Sequence, residues 1–196
     1  MGKLILDEWL TLDGVAQAPG EPEEDTTGGF AHGGWHMGYV DDDFMKWMKD
    51  NLNSASGFIL GRRTYEGFAS HWPNASEEEQ PVAEPLNKTP KYVVTRTLTD
   101  PLEWENSFVL EGDLSKSVNA LKGKDGDLHV IGSTALVHSL LEHDLVDELR
   151  AIIDPVVVGG GKRVFADDGV RRSMHLVEAT TTTKGSIIAR YDIDHG

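Results

Sequence analysis

The stretch FILGRRTYE at residues 58–66 and the stretch LHVIGST at residues 128–134 share one pattern. In each, a short apolar strand runs into a glycine, Gly61 or Gly132, and a helix pattern follows without a spacer. Free N–H groups at the start of a helix, together with the helix dipole, favour a phosphate, and glycine lets a ligand approach the backbone closely. One such junction is often only a tight packing device, but two in one small sheet favour a nucleotide site.

Side-chain donors follow both glycines. They are Arg62, Arg63 and Thr64 after the first and Ser133 and Thr134 after the second. Other phosphate-binding patterns do not fit, because GGGK at 159–162 lacks the earlier spaced glycine of a Walker loop and no strand leads into G-x-G-x-x-G. A nucleotide site in this chain therefore differs from the P-loop and from the ordinary Rossmann fingerprint.

Strand and helix patterns alternate along the rest of the chain. Apolar runs predict strands at 3–10, 58–60, 91–95, 108–110, 128–131 and 149–153. Helical spacing predicts helices after the aspartates at 41–43, after Gly61, across 114–121 and from Ala135. The segments 174–183 and 186–193 predict a hairpin that turns near residues 184–185. This order predicts an α/β fold in one domain, residues 1–196, with a mixed, mostly parallel sheet flanked by helices and a C-terminal antiparallel hairpin.

Two segments interrupt the alternation. Residues 73–90 predict a polar loop, and the acidic run at 77–79 is either a solvated face or the end of a short helix. Residues 18–39 are acidic and glycine-rich, and a stretch of that length inside a compact domain is typically disordered or a functional lid. We expect His32 and His36 in this stretch to line the mouth of a substrate site. A metal is not predicted, because no partner carboxylate stands at a defined spacing from them.

The composition limits the classes of function. The 196 residues are 39% hydrophobic and 26% charged, which is typical of a globular domain. A formal net charge of -15 argues against a nucleic-acid partner, because phosphates are neutralised by clustered lysine and arginine. The absence of cysteine excludes disulfides, thiolate metal sites and a cysteine nucleophile. No apolar run resembles a signal peptide or a membrane span, so we expect a cytoplasmic protein without a membrane partner.

Five motifs, in this order along nearly the whole chain, resemble the dihydrofolate reductase-like superfamily. They are GRRTYE at 61–66, VVTRT at 93–97, VIGS at 130–133, LVDEL at 145–149 and PVVVGGG at 155–161. Within it, LDGV at 12–15 and the late glycine triplet are more similar to the reductase domain of bifunctional riboflavin-biosynthesis deaminase/reductases and their stand-alone relatives. The resemblance implies a dihydrofolate reductase-like three-layer fold and an NADPH-dependent reductase that needs no metal.

The resemblance also implies which residues hold the cofactor. Gly61, Arg62, Arg63 and Thr64 match the first phosphate motif, Thr95 and Arg96 match the segment beside the adenosine 2'-phosphate, and Gly132, Ser133, Thr134 and Ala135 match the second phosphate motif. The arginines favour NADPH over NADH. For Arg62 or Arg96 taken alone, solvated surface charge is the alternative.

A first candidate for the proton donor comes from the resemblance, because dihydrofolate reductases carry an acid on their first helix. Asp43, ahead of Phe44 and Trp47, stands closest to that place, and Asp42 is an alternative. All three aspartates at 41–43 could instead only cap the helix. Phe44 and Trp47 are predicted substrate contacts.

A second candidate is Asp7, which interrupts the first apolar strand. By alternation it shares a face with Ile5 and Trp9, and that face resembles the substrate side of the family's first strand. A carboxyl between apolar walls can serve as a general acid. A wet sheet end with no role is the alternative reading for Asp7. Trp9 is the third predicted substrate contact.

The resemblance further implies a small heterocyclic substrate, either a ribosylaminopyrimidine or a pteridine-like compound. Folate is not the expected substrate, because residues 18–39 form a longer, more acidic loop than in true dihydrofolate reductase. The zinc deaminase domain of the bifunctional enzymes is not expected either, because a cysteine-free chain of 196 residues has no room for one. The alternative function is a non-catalytic ligand-binding or dimer-scaffold module on the same fold. Relatives commonly form homodimers, and the apolar run 155–158 could pack against a second copy.

Overall fold

The structure is a computed structural model that describes residues 1–124 and 126–195. Within these ranges the chain forms an eight-stranded sheet in the order β4-β3-β2-β5-β1-β6-β8-β7. The strands are β1 (Leu4–Thr11), β2 (Gly57–Gly61), β3 (Lys91–Val94), β4 (Ser107–Val109), β5 (Leu128–Ile131), β6 (Glu148–Asp154), β7 (Met174–Thr181) and β8 (Ile187–Ile193). The α-helices are α1 (Asp42–Ser54), α2 (Arg62–His71), α3 (Gln80–Lys88), α4 (Leu114–Lys122) and α5 (Thr134–Glu142). None of these helices has the length and apolar character that a membrane span requires.

The sheet is parallel over most of its width. Strands β4, β3, β2, β5, β1 and β6 all run in one direction, and β8 lies antiparallel between β6 and β7. The predicted mixed, mostly parallel sheet with a C-terminal antiparallel hairpin is therefore confirmed. Parallel strands are buried on both faces when crossover helices cover them, which explains why β1, β2 and β5 are buried over almost their whole length.

Helices pack on both faces of the sheet and make three layers. On one face, Leu4 and Leu6 of β1 pack with Val118 of α4 and with Val137 and Leu140 of α5. The opposite face is formed by a second cluster from α1, α2, α3 and the sheet, with members Leu52, Tyr65, Leu86, Phe58 and Leu60. Each buried aliphatic or aromatic side chain contributes roughly 1.5–3 kcal/mol to folding, so the two clusters fix α1, α2 and α5 against the strands that precede them.

The prediction of a polar loop over residues 73–90 is wrong, because α3 occupies residues 80–88. Pro81 lies in the first turn, where a missing N–H costs nothing. Ser76 and Glu79 form a capping box just before it, which satisfies free N–H groups at the helix start. Val82 and Leu86 then bury one face of the helix. The proline and glutamate content of this segment concealed a helix that tertiary packing supports.

Residues 18–39 have a defined path, organised around the buried Gln17. The side-chain amide of Gln17 donates to the carbonyls of Asp25 and Thr27 at 2.9 and 3.0 Å, and its Oε1 accepts from the backbone N–H of Lys162. The carbonyl of Gln17 accepts from Trp35 Nε1 at 2.8 Å. Through its side chain and its main-chain carbonyl, Gln17 thus ties residues 25–27 and Trp35 to the chain after β6. Of the two alternatives, disorder or an ordered cover, the structure has the ordered form.

Some large apolar side chains remain exposed in the described ranges. Val157, within the run 155–158, is 65% exposed, and Leu176 on the edge strand β7 is 58% exposed. Contiguous exposed apolar surface is typical of interaction sites. The homodimer stays a prediction.

Candidate cofactor and substrate site

The two glycine junctions lie side by side at the carboxyl edge of the sheet. Strands β2 and β5 pair in parallel with Ile59 opposite Val130, so Gly61 and Gly132, two residues later on each strand, stand level. The backbone N–H of Gly61 donates to Ser133 Oγ at 3.0 Å, across the boundary between the two junctions. We call residues 61–64 together with residues 132–135 the two-turn edge.

Backbone geometry at the two-turn edge requires small residues. A Cβ added to Gly61 would lie 2.9 Å from Ser133 Oγ, closer than such atoms approach one another. Gly132 has φ +59°, and Ser133, the N-cap of α5, also has a left-handed backbone with φ 62°. Ser133 Oγ in addition lies 2.6 Å from Thr64 Oγ1. The junctions are therefore held together by a shared hydroxyl, with the starts of α2 and α5 adjacent.

The N-terminal amides of two helices converge at this edge. In a helix the first amides have no partner within the helix, and they carry the positive end of the dipole. Residues 62–64 and residues 134–135 occupy those positions in α2 and α5. This set of N–H donors matches the chemistry of a diphosphate. A dinucleotide therefore fits the residues that are present.

Thr95 and Arg96 belong to the same edge. Gly61 of β2 pairs with Val94 of β3, so the two residues that follow β3 emerge beside the start of α2. Thr95 Oγ1 accepts from the backbone N–H groups of Thr97 and Leu98, both at 3.1 Å, which fixes the turn. Arg96 is exposed and makes no salt bridge with any residue of the described ranges. Its guanidinium is free to meet an anion.

The other two arginines are at the first turn of α2. Arg62 Nη1 lies 3.0 Å from both carboxylate oxygens of Glu66, one turn further along the helix. Arg63 is exposed. The pairing of Arg62 is an exposed i,i+4 pair, worth only about 0.3–0.5 kcal/mol, so an incoming phosphate can compete for it. The cofactor roles of these residues stay predictions.

The three predicted substrate contacts come together on the face of the sheet that α1 covers. The ring of Trp9 lies 6.4 Å from those of Phe44 and Trp47, centroid to centroid, and Phe44 lies 6.5 Å from Trp47. Aromatic clusters of this kind bind flat heterocycles through edge and face contacts. His36 joins the cluster with its ring 4.6 Å from Phe44.

Asp7 lies in a polar cluster, so the expected apolar walls around it are wrong. Asp7 Oδ2 is 2.6 Å from His129 Nδ1, and Asp7 Oδ1 accepts from Asn51 Nδ2 at 2.7 Å. Arg150 donates through Nη1 to the side-chain oxygen of Asn51 and through Nε to Glu148 Oε1 at 2.6 Å. We call these five residues the Asp7 cluster. Asp7 lies on the face of β1 that α1 covers, but the sequence of one strand cannot show that α1 places the polar side chain of Asn51 there. The catalytic role of Asp7 stays a prediction.

The three aspartates at 41–43 have different partners. Asp41 caps α1 by accepting from the backbone N–H of Phe44 at 2.9 Å, and this bond holds the pKa of Asp41 below its ordinary value. Asp43 Oδ2 accepts from the backbone N–H and the hydroxyl of Thr183 at 2.9 and 2.7 Å, which ties α1 to the C-terminal hairpin. Asp42 is exposed in the first turn. Asp43 also lines a groove of about 520 Å³ between α1 and β8. Its role as proton donor stays a prediction.

Sequence reasoning missed the partner of His36. Asp154, at the end of β6, accepts through Oδ2 from His36 Nδ1 at 2.7 Å and through Oδ1 from Ser186 Oγ at 2.6 Å. Both side chains of the His36–Asp154 pair are buried. The two residues are 118 positions apart, and no local spacing signals the pair.

Glu8 was also missed, although two consecutive carboxylates inside an apolar strand were a usable signal. It is 1% exposed, and its Oε1 has no hydrogen-bond partner among the described residues. Burial, and to a smaller extent the neighbouring Asp7, raises the pKa of Glu8 well above that of an ordinary carboxyl. Asp7 is the last β1 residue paired with β5, so Glu8 stands level with Gly132, where the two strands part.

His32 lies apart from the aromatic cluster. Its ring is 5.7 Å from Phe30, and it lines a second groove of about 480 Å³ between residues 27–32 and the glycine triplet at 159–161. Across the described residues, no three histidine, aspartate or glutamate side chains gather as a metal site would require.

The sheet order and the adjacent helix starts define an α/β protein of the dihydrofolate reductase-like class. The chain belongs to the RibD C-terminal domain family, whose model matches residues 2–188. The uncharacterized protein YyaP of Bacillus subtilis (strain 168) is 28% identical over 190 residues, which cover 94% of this chain and 92% of YyaP. The family and its structural neighbours indicate a reductase-type enzyme.

Two solved structures illustrate the shared fold. A pyrimidine reductase-like protein from Corynebacterium diphtheriae superimposes with a TM-score of 0.68 at 12% identity, covering 100% of this chain and 93% of the other. Dihydrofolate reductase from Enterococcus faecalis, complexed with NADP(H) and RAB-propyl, gives a TM-score of 0.61 at 14% identity, with 99% and 98% covered. Both likenesses extend over the whole sheet and its helices.

Proposed function

We propose that this protein is an NADPH-dependent reductase that passes hydride to a small heterocycle, a ribosylaminopyrimidine or a pteridine-like compound. The single observation that carries the proposal is the level position of Gly61 and Gly132, which brings the starts of α2 and α5 to one point. Membership of the RibD C-terminal domain family supports the reaction class. The NADP(H) complex of the Enterococcus faecalis dihydrofolate reductase supports the choice of cofactor on this fold.

Each part of the site has a role in the proposed reaction. The amides and hydroxyls of the two-turn edge bind the diphosphate, and Arg96 provides the positive charge for the adenosine 2'-phosphate. When bound, NADPH supplies the hydride. Trp9, Phe44 and Trp47 hold the flat substrate ring and exclude water from the reacting atoms. The charge-assisted bonds to phosphate are the strong contacts, each worth about 1.5–3 kcal/mol.

The test compares binding of NADPH and NADH to purified protein by fluorescence. Replacing Arg96 by glutamine should weaken NADPH about 10- to 100-fold, because a charge-assisted bond of about 1.5–3 kcal/mol is lost. NADH lacks the 2'-phosphate and should bind within about twofold of wild type, since none of its groups meets Arg96. Arg62→Gln should also weaken NADPH more than NADH, but by a smaller factor, because Arg62 is already paired with Glu66.

Arg171→Gln is the matched control, because this exposed arginine precedes β7 at the opposite edge of the sheet. It should bind both cofactors as the wild type does. Equal losses for NADPH and NADH in Arg96→Gln would remove the assignment of the 2'-phosphate contact. A wild type that binds neither cofactor would contradict the proposed function itself.

A further inference from the structure

Two buried histidines in the molecule share one arrangement but differ at one atom. His129 and His36 each have Nδ1 against a buried carboxylate, of Asp7 at 2.6 Å and of Asp154 at 2.7 Å. His129 Nε2 has a hydroxyl within reach, Ser54 Oγ at 3.4 Å. His36 Nε2 is buried and has no hydrogen-bond partner in the described part of the chain. An unsatisfied buried polar atom costs about 1–3 kcal/mol, so its retention calls for a reason.

Three aromatic rings surround the imidazole of His36. The ring stands edge-on to Phe44 at 4.6 Å and to Trp9 and Trp35 at 6.3 Å each, centroid to centroid. Trp9 and Phe44 are two of the three predicted substrate contacts. The carboxylate of Asp154 fixes the orientation of the ring, because Nδ1 donates a hydrogen bond to it and Nε2 then points away from the carboxylate. Ser186 occupies the other oxygen of Asp154 at 2.6 Å and holds the carboxylate in place.

Both predicted carboxylate donors already accept hydrogen bonds from the protein. Both oxygens of Asp7 already accept hydrogen bonds within the Asp7 cluster. Asp43 Oδ2 accepts two bonds from Thr183 at the hairpin. His36, whose Nδ1 is occupied and whose Nε2 is not, is the titratable group of the aromatic cluster that has a free reactive atom.

We infer that His36 is the catalytic acid that protonates the substrate, oriented by Asp154; this inference rests on the proposed function. In the reduction, the carbon of a C=N or C=O bond accepts a hydride from the nicotinamide cofactor. The nitrogen or oxygen accepts a proton as the Nε2–H bond of the His36 imidazolium breaks. The imidazole that remains is neutral and takes its next proton from solvent after the product leaves.

The test uses two probes that differ in their need for a proton. One is neutral 6-methyl-7,8-dihydropterin, and the other is its N5-methylated iminium cation, which becomes a neutral amine on accepting hydride alone. His36→Gln should lower turnover of the neutral probe by about 100-fold or more, the usual contribution of general acid catalysis. Turnover of the cation should stay within about threefold, because no proton transfer is required. Binding of NADPH, measured by fluorescence, should be unchanged.

His175→Gln is the matched control, because His175 lies on the edge strand β7 with its side chain 77% exposed. It should turn over both probes as the wild type does. Equal loss on the two probes in His36→Gln means a structural role and overturns the inference, as does full activity of that variant on the neutral probe. A wild type that binds NADPH but reduces neither probe overturns the proposed reaction and the inference with it.

A second readout needs neither a variant nor turnover. In protein labelled with 15N-histidine and saturated with NADP+, adding the neutral pterin should shift the Nε2 resonance of His36. His129 is the internal reference, since its carboxylate bond is the same but its Nε2 faces Ser54. A shift at His36 larger than at His129 supports direct contact. An unmoved His36 resonance with the pterin bound overturns it.

Discussion

The two-turn edge and the Asp7 cluster lie on neighbouring strands, yet they are built in opposite ways. The edge uses backbone, with Gly61 and Gly132 bringing two helix starts together through one shared hydroxyl. The Asp7 cluster uses side chains from four separate elements, joined by hydrogen bonds in the interior. The two-turn edge is the proposed cofactor site, and the Asp7 cluster holds the sheet and α1 together.

The difference predicts where a substitution is felt. Arg63 and Ala135 of the two-turn edge are exposed, whereas Asp7 and His129 are fully buried and satisfy one another. Buried polar groups are costly when they lose a partner, because water cannot replace it. Damage at the edge should therefore appear in cofactor affinity, and damage in the cluster should appear in stability.

The largest effect is expected from Asp7→Ala. This substitution leaves His129 Nδ1 and the Asn51 amide without acceptors in the interior, and breaking such a buried pair costs about 3–5 kcal/mol. Urea unfolding of the variant measures the loss. The affinity of any surviving folded protein for NADPH should stay within about twofold, because none of the lost bonds belongs to the two-turn edge.

Asp43→Ala is the control for that prediction. Asp43 is exposed, and losing its bonds to Thr183 should lower the free energy of unfolding by about 1 kcal/mol. Similar losses for Asp7→Ala and Asp43→Ala would remove the distinction between a buried and a surface carboxylate on which the comparison depends.

This contrast also explains what the sequence could reveal. The two-turn edge was predictable because its signal is local: a short apolar strand, a glycine and a helix start, repeated at 58–66 and 128–134. The mostly parallel sheet followed from the same alternation. The partners of Asp7 and His36 could not be predicted, because Asn51, His129 and Asp154 come from distant elements whose register only tertiary packing sets. Helix α3 was hidden for a similar reason, since its support is the packing of Val82 and Leu86.

A smaller effect is expected at the edge from Gly61→Ala. The added Cβ would lie 2.9 Å from Ser133 Oγ and displace the hydroxyl that joins the junctions. Overpacking of this kind costs about 1–3 kcal/mol, and we expect roughly half of it in a tenfold loss of NADPH affinity, about 1.4 kcal/mol. Isothermal titration with NADPH measures the loss of affinity, and thermal melting of the apo protein measures the loss of stability.

Gly67→Ala serves as the control, because this glycine lies in the same helix with nothing within 4 Å of a Cβ. It should bind NADPH as the wild type does. The double variant Gly61→Ala with Ser133→Gly tests the cause, since removing the hydroxymethyl group relieves the contact. If the affinity of the double variant is no better than that of Gly61→Ala, steric contact with Ser133 is not the cause.

A pH-dependent effect is expected at Glu8, which stands between the two regions, next to Asp7 along β1 and level with Gly132. Burial raises its pKa well above the ordinary value of 4.5, so the folded state holds the proton more tightly than the unfolded chain does. Stability from that proton is fully present below the ordinary pKa and is lost as pH rises through the raised value. Glutamine cannot ionise, so Glu8→Gln should gain stability relative to wild type as pH rises above the ordinary pKa of 4.5. Urea unfolding at several pH values measures this difference, with the exposed Glu23→Gln as control. A difference that does not change with pH would mean that Glu8 titrates alike in both states and that its burial imposes no cost on the strand joining the two regions.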